Sequence, residues 1–142
     1  MKTKNAGFTL FELLVSISII AILVAVATAS FSSAQRKARD AKRIQDIEAV
    51  RKAAEQYYML SNANYPTVSG VGVSWAVGSQ TVLESWPSDP KGVGYTAYVP
   101  TLTASTYCVC AALESGNGNS TTSGCNFVAA GTKNWFCVRN QQ

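Results

Sequence analysis

Two groups of side chains in this sequence can do chemistry, and they lie at opposite ends of it. The first is a lone carboxylate. From Phe8 to Phe31 the chain is apolar and free of proline and glycine, and Glu12 is its only formally charged side chain. A carboxylate at the centre of a hydrocarbon layer costs about 2.5–3.5 kcal/mol on insertion scales. A plain anchor has no use for that penalty, so Glu12 calls for a partner. The second group is four thiols in the last third: Cys108, Cys110, Cys125 and Cys137. An even count beyond a membrane-length segment fits an oxidising compartment and two disulfides.

Other fates for the thiols fit less well. Small buried cysteines are the bland alternative. A zinc site lacks both a C-x-x-C pair and any histidine. Four cysteines allow three connectivities. Cys108 and Cys110 share one face of a strand, which disfavours a bond between them. One of them is expected to join Cys137 on a neighbouring strand and the other Cys125; which takes which stays open.

The elements that position these groups follow from periodicity. Residues 1–7 form a short basic leader carrying Lys2 and Lys4. Residues 8–31, as a helix, would extend about 36 Å at 1.5 Å per residue, enough for a bilayer core of about 30 Å. From residue 32 to 61 a helical stripe continues through Ala34, Ala38, Ala41, Ile44, Ile47, Val50, Ala54, Tyr57 and Tyr58. Its small early residues suit close approach by another helix, and its large late ones suit a core. The helix should stop near Ser61-Asn62-Ala63-Asn64, ahead of Tyr65-Pro66.

Residues 62–142 read as loops and short strands. Val71–Val77 is ambiguous. Trp86–Gly92 is a loop by its Pro, Asp and Gly. Gly94–Val99 and Thr106–Leu113 read as strands. Glu114–Gly124 is a polar loop, and Cys125–Ala130 with Asn134–Arg139 read as a final hairpin. A long helix packed on a small antiparallel sheet is an α+β fold. Its apolar N-terminal half has no partner in its own chain, so lipid or other copies must cover it.

Charge and composition exclude several function classes. The net charge of +4 is concentrated in the leader and in Arg36-Lys37-Ala38-Arg39-Asp40-Ala41-Lys42-Arg43. That run reads as a solvated face just outside a membrane, near anionic headgroups. No nucleic-acid fold signature accompanies it. Histidine is absent, and no nucleophile motif or phosphate loop is present, so no enzyme and no cofactor is expected. Phe8, Phe11, Phe31, Tyr57 and Tyr58 read as packing, and Trp75, Trp86 and Trp135 as core or loop anchors.

Lys4-Asn5-Ala6-Gly7-Phe8-Thr9-Leu10-Phe11-Glu12, followed by a long apolar helix, resembles the class III signal and N-terminus of type IV pilins and pseudopilins. The resemblance extends to Asn64-Tyr65-Pro66-Thr67 and to Ser88-Asp89-Pro90-Lys91-Gly92 with Tyr95 and Tyr98. It implies a pilin-like fold and a structural filament subunit. A membrane prepilin peptidase would cut between Gly7 and Phe8 and methylate the new Phe8 amine. Glu12 would then pair with that amine, in its own chain or in a neighbour, and help to set the axial register of a helical homopolymer. The implied partners are other copies, the peptidase, an assembly platform and the membrane. The implied location is the inner membrane and then an extracellular fibre.

Two departures from the family matter. Many type IV pilins carry a Gly and a Pro within the apolar helix, where this chain has Ala21 and Ala29, so an unbroken helix is expected. The basic run at 36–43 falls outside the cytoplasm, against the positive-inside tendency; the cysteines and the cytoplasmic-side cut still favour the C-terminus outside. Some pseudopilins hold calcium in a C-terminal loop. Glu114, Asn117, Asn119 and Ser120 offer oxygens here, but only one is anionic and calcium prefers several carboxylates, so no metal is expected. The alternatives are a pseudopilin of a type II secretion or DNA-uptake system and, in another class, a membrane-anchored extracellular binding module.

Overall fold

In the computed structural model, residues 7–92, 98–127 and 131–141 are described. Helix α1 (Leu10–Leu60) runs for 51 residues. It starts where Thr9 and Glu12 cap each other in the T-x-x-E arrangement that satisfies two first-turn amides. No break falls at Ala21 or Ala29. The helix ends as expected from Asn62 and Pro66. Asn62 and Ala63 turn through the left-handed region at φ 54° and 61°, the Ser61 and Ala63 amides close on the Tyr57 and Tyr58 carbonyls of the last turn, and the Asn64 side-chain amide donates to the Ser61 and Asn62 carbonyls just past the helix.

The chain divides into two compact units, Met1–Gln35 and Arg36–Gln142. In the first, every described side chain from Phe8 to Phe31 is exposed, and this stretch gives α1 the length and apolarity to cross a membrane. The second unit holds the core. Ile47, Val50, Ala53 and Ala54 of α1 cluster with Tyr65, Trp75, Trp86, Tyr98, Tyr107, Val109, Ala111 and Val138.

Two small antiparallel sheets complete that unit. Strands β1 (Trp75–Val77) and β2 (Gln80–Leu83) form a hairpin. Gly78, at φ 60°, supplies the left-handed residue that a two-residue hairpin turn needs. Strands β3 (Tyr98–Leu102), β4 (Tyr107–Ala112) and β5 (Trp135–Arg139) pair in the order β3-β4-β5. Alternation along β4 sends Tyr107, Val109 and Ala111 into the core with α1, and sends Cys108 and Cys110 to the opposite face.

The structure corrects three sequence readings. The ambiguous Val71–Val77 segment contributes β1, and β2 follows it unforeseen; these strands are too short for periodicity to show. The strand expected at Gly94–Val99 is observed over Tyr98–Leu102, residues 94–97 lying outside the described residues. Cys125–Ala130 forms no strand over its described part: Cys125 sits at φ 55°, and Asn126 bonds back to Ser120 and Thr121. Consequently β5 pairs with β4, whose edge is free to receive it. Residues 128–130 lie outside the described residues.

Candidate functional site: the N-terminal motif and a buried charge network

The start of the N-terminal motif is open. Gly7 and Phe8 are exposed; a Cβ on Gly7 would meet nothing within 4 Å, and Phe8 is 83% exposed. Lys2 and Lys4 lie outside the described residues. Glu12 has found a local partner. Its Oε2 accepts from the Thr9 amide at 2.9 Å and from the Thr9 hydroxyl at 2.7 Å. The Thr9 Oγ1 in turn accepts from the Glu12 amide at 3.2 Å. The Phe8 nitrogen is a peptide amide in this chain, and Thr9 satisfies the carboxylate. Ser16 and Ser18 donate back to the Glu12 and Leu14 carbonyls, which hides their hydroxyls within an apolar helix.

The four cysteines form two disulfides, Cys108–Cys125 and Cys110–Cys137. Cys110 and Cys137 are register partners on β4 and β5, which is why the neighbouring-strand expectation resolves to that pair. Cys108 reaches out to Cys125 and fastens the polar loop across the sheet face. Asn119 in that loop acts as an extra rung for β5: its Nδ2 donates to the Cys137 carbonyl at 2.9 Å, and its Oδ1 accepts from the Cys137 amide at 2.7 Å. Gly118 lies against β5 so closely that a Cβ there would fall 2.1 Å from the Trp135 carbonyl oxygen.

Sequence reasoning missed the centre of the globular unit. Arg43 belongs to the run expected to be a solvated face, yet it is 0% exposed. Its Nε and Nη2 grip Asp89 at 2.7 and 3.1 Å. Its Nη1 donates to Asp40 and to Glu114, each at 2.9 Å. Arg39 holds the same Glu114 with a second fork, at 2.8 and 2.7 Å. Asp40 accepts the amides of Glu114 and Ser115 at 2.9 and 2.8 Å, and the Ser115 hydroxyl. One arginine therefore ties α1 to two distant loops. Asp89, in the Asp-Pro-Lys-Gly segment, also accepts the Lys91 amide at 2.8 Å and so shapes its own turn.

A buried charge persists only when paired and fully hydrogen-bonded, and this network meets that condition. Among the described residues no buried side-chain polar atom lacks a partner. The Arg39 fork, with help from Arg43, holds the Glu114 carboxyl down at about 2, from an ordinary 4.5. Burial opposes ionisation of Asp40, but the Ser115 hydroxyl, two loop amides and Arg43 outweigh it and keep that carboxyl below its usual range. The Asp89 pairing first, and then the other two carboxylates, raise Arg43. The available signal was the spacing Asp40-x-x-Arg43-x-x-Asp46, which puts all three on one helix face. Asp46 accepts from Tyr98 and Lys42, each at 2.7 Å.

Two other sequence candidates resolve plainly. Glu114, the one anionic residue of the weighed calcium set, is occupied by Arg39 and Arg43. Trp75 and Trp86 are core residues with rings 5.6 Å apart, edge to face, whereas Trp135 is only part-buried. Tyr57 and Tyr58 pack against the core, and Tyr65 stacks on Tyr58 at 4.6 Å between centroids.

Comparison with known proteins agrees with both regions. Residues 2–28 match the family model of the prokaryotic N-terminal methylation motif. The chain is 30% identical over 109 residues to the type II secretion system core protein G of Escherichia coli (strain K12), covering 68% of this chain and 74% of the relative. It is also 30% identical over 145 residues to a type IV major pilin protein PilE1 of Neisseria gonorrhoeae, covering 96% of this chain and 71% of the relative. A second PilE1 from the same organism is 30% identical over 142 residues, and the match spans 59% of its length. No solved structure matches. A capped apolar helix with a lone carboxylate, continuing into a disulfide-clamped α+β unit, and relatives on both the pilus and the secretion side lead to one conclusion: the chain belongs to the type IV pilin and pseudopilin family.

Proposed function

We propose that this protein is a structural subunit of a type IV pilus, cut between Gly7 and Phe8, methylated on the new Phe8 amine and added to a helical filament. One observation carries the reading. The motif Gly7-Phe8-Thr9-Leu10-Phe11-Glu12 opens an apolar helical stretch whose every described side chain is exposed. Such a surface is stable in lipid and, after extraction, in contact with other apolar helices. A cut on the cytoplasmic side removes Lys2 and Lys4 and leaves one ammonium at the tip of that helix. An ammonium and a carboxylate in a low dielectric are costly apart and much less so together. Glu12 lies one turn from Phe8. It can hold the new amine of its own chain, or leave Thr9 and take the amine of a neighbour. Contacts of this head-to-tail kind do not close, and they generate filaments. The Arg36–Gln142 unit would then lie outside the cytoplasm, where Cys108–Cys125 and Cys110–Cys137 can form.

The test is sheared surface fibres together with the mass of the mature N-terminus. The expected result is fibres of this chain starting at methylated Phe8; an intact leader on assembled protein would overturn the cleavage. Gly7→Val should block processing. Glu12→Ala should be processed normally and yield no fibres, and wild-type yield from that variant would remove the register role. A second reading, a secretion pseudopilin, is favoured by the likeness to core protein G of type II secretion systems. Loss of secretion on deletion, with no surface fibres made by the wild type, would select it.

A further inference from the structure

The described carboxylates of the Arg36–Gln142 unit are, with one exception, held by partners within the chain. Asp40, Asp89 and Glu114 hold Arg43 and Arg39, Asp46 holds Lys42, and Glu48 holds Arg51 at 2.8 Å. Glu55 accepts from the hydroxyls of Tyr65 and Tyr107 at 3.2 and 2.9 Å. Glu84 remains. It is exposed just after β2, and it makes no ion pair or hydrogen bond among the described residues. It follows Leu83, the residue of β2 paired with Trp75 at the open end of the hairpin, and Ser85 beside it is likewise exposed.

Elsewhere on the same unit there is a matching hollow. A cleft of about 960 Å³ runs beside β5, lined by Glu48 and Arg51 from α1, by Phe127 and Phe136, and by Arg139 at the end of β5. The Arg139 guanidinium lies 5.1 Å over the Phe127 ring, which orients it, and its donors carry no hydrogen bond among the described residues. An oriented guanidinium on an aromatic floor receives a carboxylate through two parallel bonds, with apolar surface for the carboxylate's stem. Lys37, Lys52 and Lys133 lack the fork and, among the described residues, the floor.

We infer that the cleft beside β5 is a subunit contact, and that it receives Glu84, exposed just after β2, from a second copy of this chain, with Arg139 as the carboxylate receiver. The inference rests on the filament reading above and names a surface for it outside the N-terminal helices. It fits the demand that a filament contact be heterologous, one patch meeting a different patch. Glu84, the one described carboxylate without a partner among the described residues, and the aromatic-floored cleft that holds Arg139 supply such a pair. A rim ion pair of this type selects partner and register more than it adds affinity.

Charge exchange in fibres tests it. Glu84→Arg and Arg139→Glu alone should each lower fibre yield about tenfold, because like charges then face each other. The double exchange should restore it. Each variant should leave the thermal melt of the detergent-solubilised full-length chain unchanged. As a second arm, Arg139→Lys fibres treated with a zero-length carbodiimide should yield a peptide linking positions 84 and 139, and detergent-dispersed monomers should not. Wild-type yields from both single variants, or the link in monomers, would overturn the contact. Absence of fibres from the wild-type chain would instead overturn the filament reading and remove this inference with it.

Discussion

The two parts of α1 invert the usual relation between polarity and burial. Ile22, in the apolar part, is 66% exposed, whereas Arg43 is 0% exposed. Apolar surface left in water is a liability unless something outside the chain covers it. Buried charge is a liability unless the chain supplies every partner. The first part of the helix is thus built for contacts this chain does not contain, and the second for contacts it contains in full. Substitutions should separate accordingly: changes within 8–31 should act on insertion and assembly, and changes around Arg43 should act on folding.

The largest expected effect is at Arg43. Replacing it with Met leaves Asp40, Asp89 and Glu114 facing one another without their shared cation, and should cost about 3–5 kcal/mol. Denaturant unfolding of the detergent-solubilised full-length chain measures it. Arg43→Lys keeps the charge but not the fork, so it should fall between the two. A neutral result for Arg43→Met would break the contrast between the two parts.

Next come the disulfides. Cys110→Ser with Cys137→Ser should cost about 2–5 kcal/mol, and it uncouples two strands that stay hydrogen-bonded. A related but distinct probe is Gly118→Ala. Its methyl group would collide with the Trp135 carbonyl, so the loop must leave β5, with faster hydrogen exchange at the Cys137 amide as the readout.

The pH dependence gives a smaller and directional effect. Glu114 titrates at about 2 in the folded chain and at an ordinary 4.5 otherwise. A carboxyl held low stabilises the fold fully above its unfolded value and loses that contribution as pH falls toward its folded value. The melting temperature should therefore decline as pH drops from about 4.5 to about 2. In Glu114→Gln it should start lower and decline less over the same window.

The smallest effect belongs to the first part of the helix. Thr9→Ala removes a cap and should cost about 1 kcal/mol locally. Hydrogen exchange should reveal this as fraying at residues 10–13 with no change in the melt of the globular unit. Ile22→Ala should likewise leave that melt untouched. A fall in either melt would show that the two regions are not energetically separate.

Much of this was legible from residues alone, and the reason is range. The end of α1 near Asn62 depends on neighbours within a few positions, and so does the Thr9–Glu12 cap, which sequence reasoning passed over in favour of the Phe8 amine as the partner of Glu12. The β4 segment was readable from alternation, and β5 was read within Asn134–Arg139 but as half of a hairpin with Cys125–Ala130 rather than as the partner of β4. The hairpin β1–β2 was not, because three or four residues are too few to establish a period. Arg43 was misread because a charged run next to a membrane segment is ordinarily solvated. Its burial depends on Asp89 and Glu114, each tens of positions away, arriving at the same helix face.

By itself, the order of residues determined an apolar helix with a carboxylate at its start, the Gly7-Phe8 motif before it and a cysteine-bearing sheet after it. These are local properties, set by hydrophobic run length, helix capping and strand period. Only the tertiary structure decided that Cys110 meets Cys137, that Cys108 meets Cys125, and that Arg43 stands at the centre of the folded unit. Those outcomes required loops closed from distant parts of the chain. Local propensity carries no record of which ends will meet, since long-range pairing is chosen by the packing that forms around it.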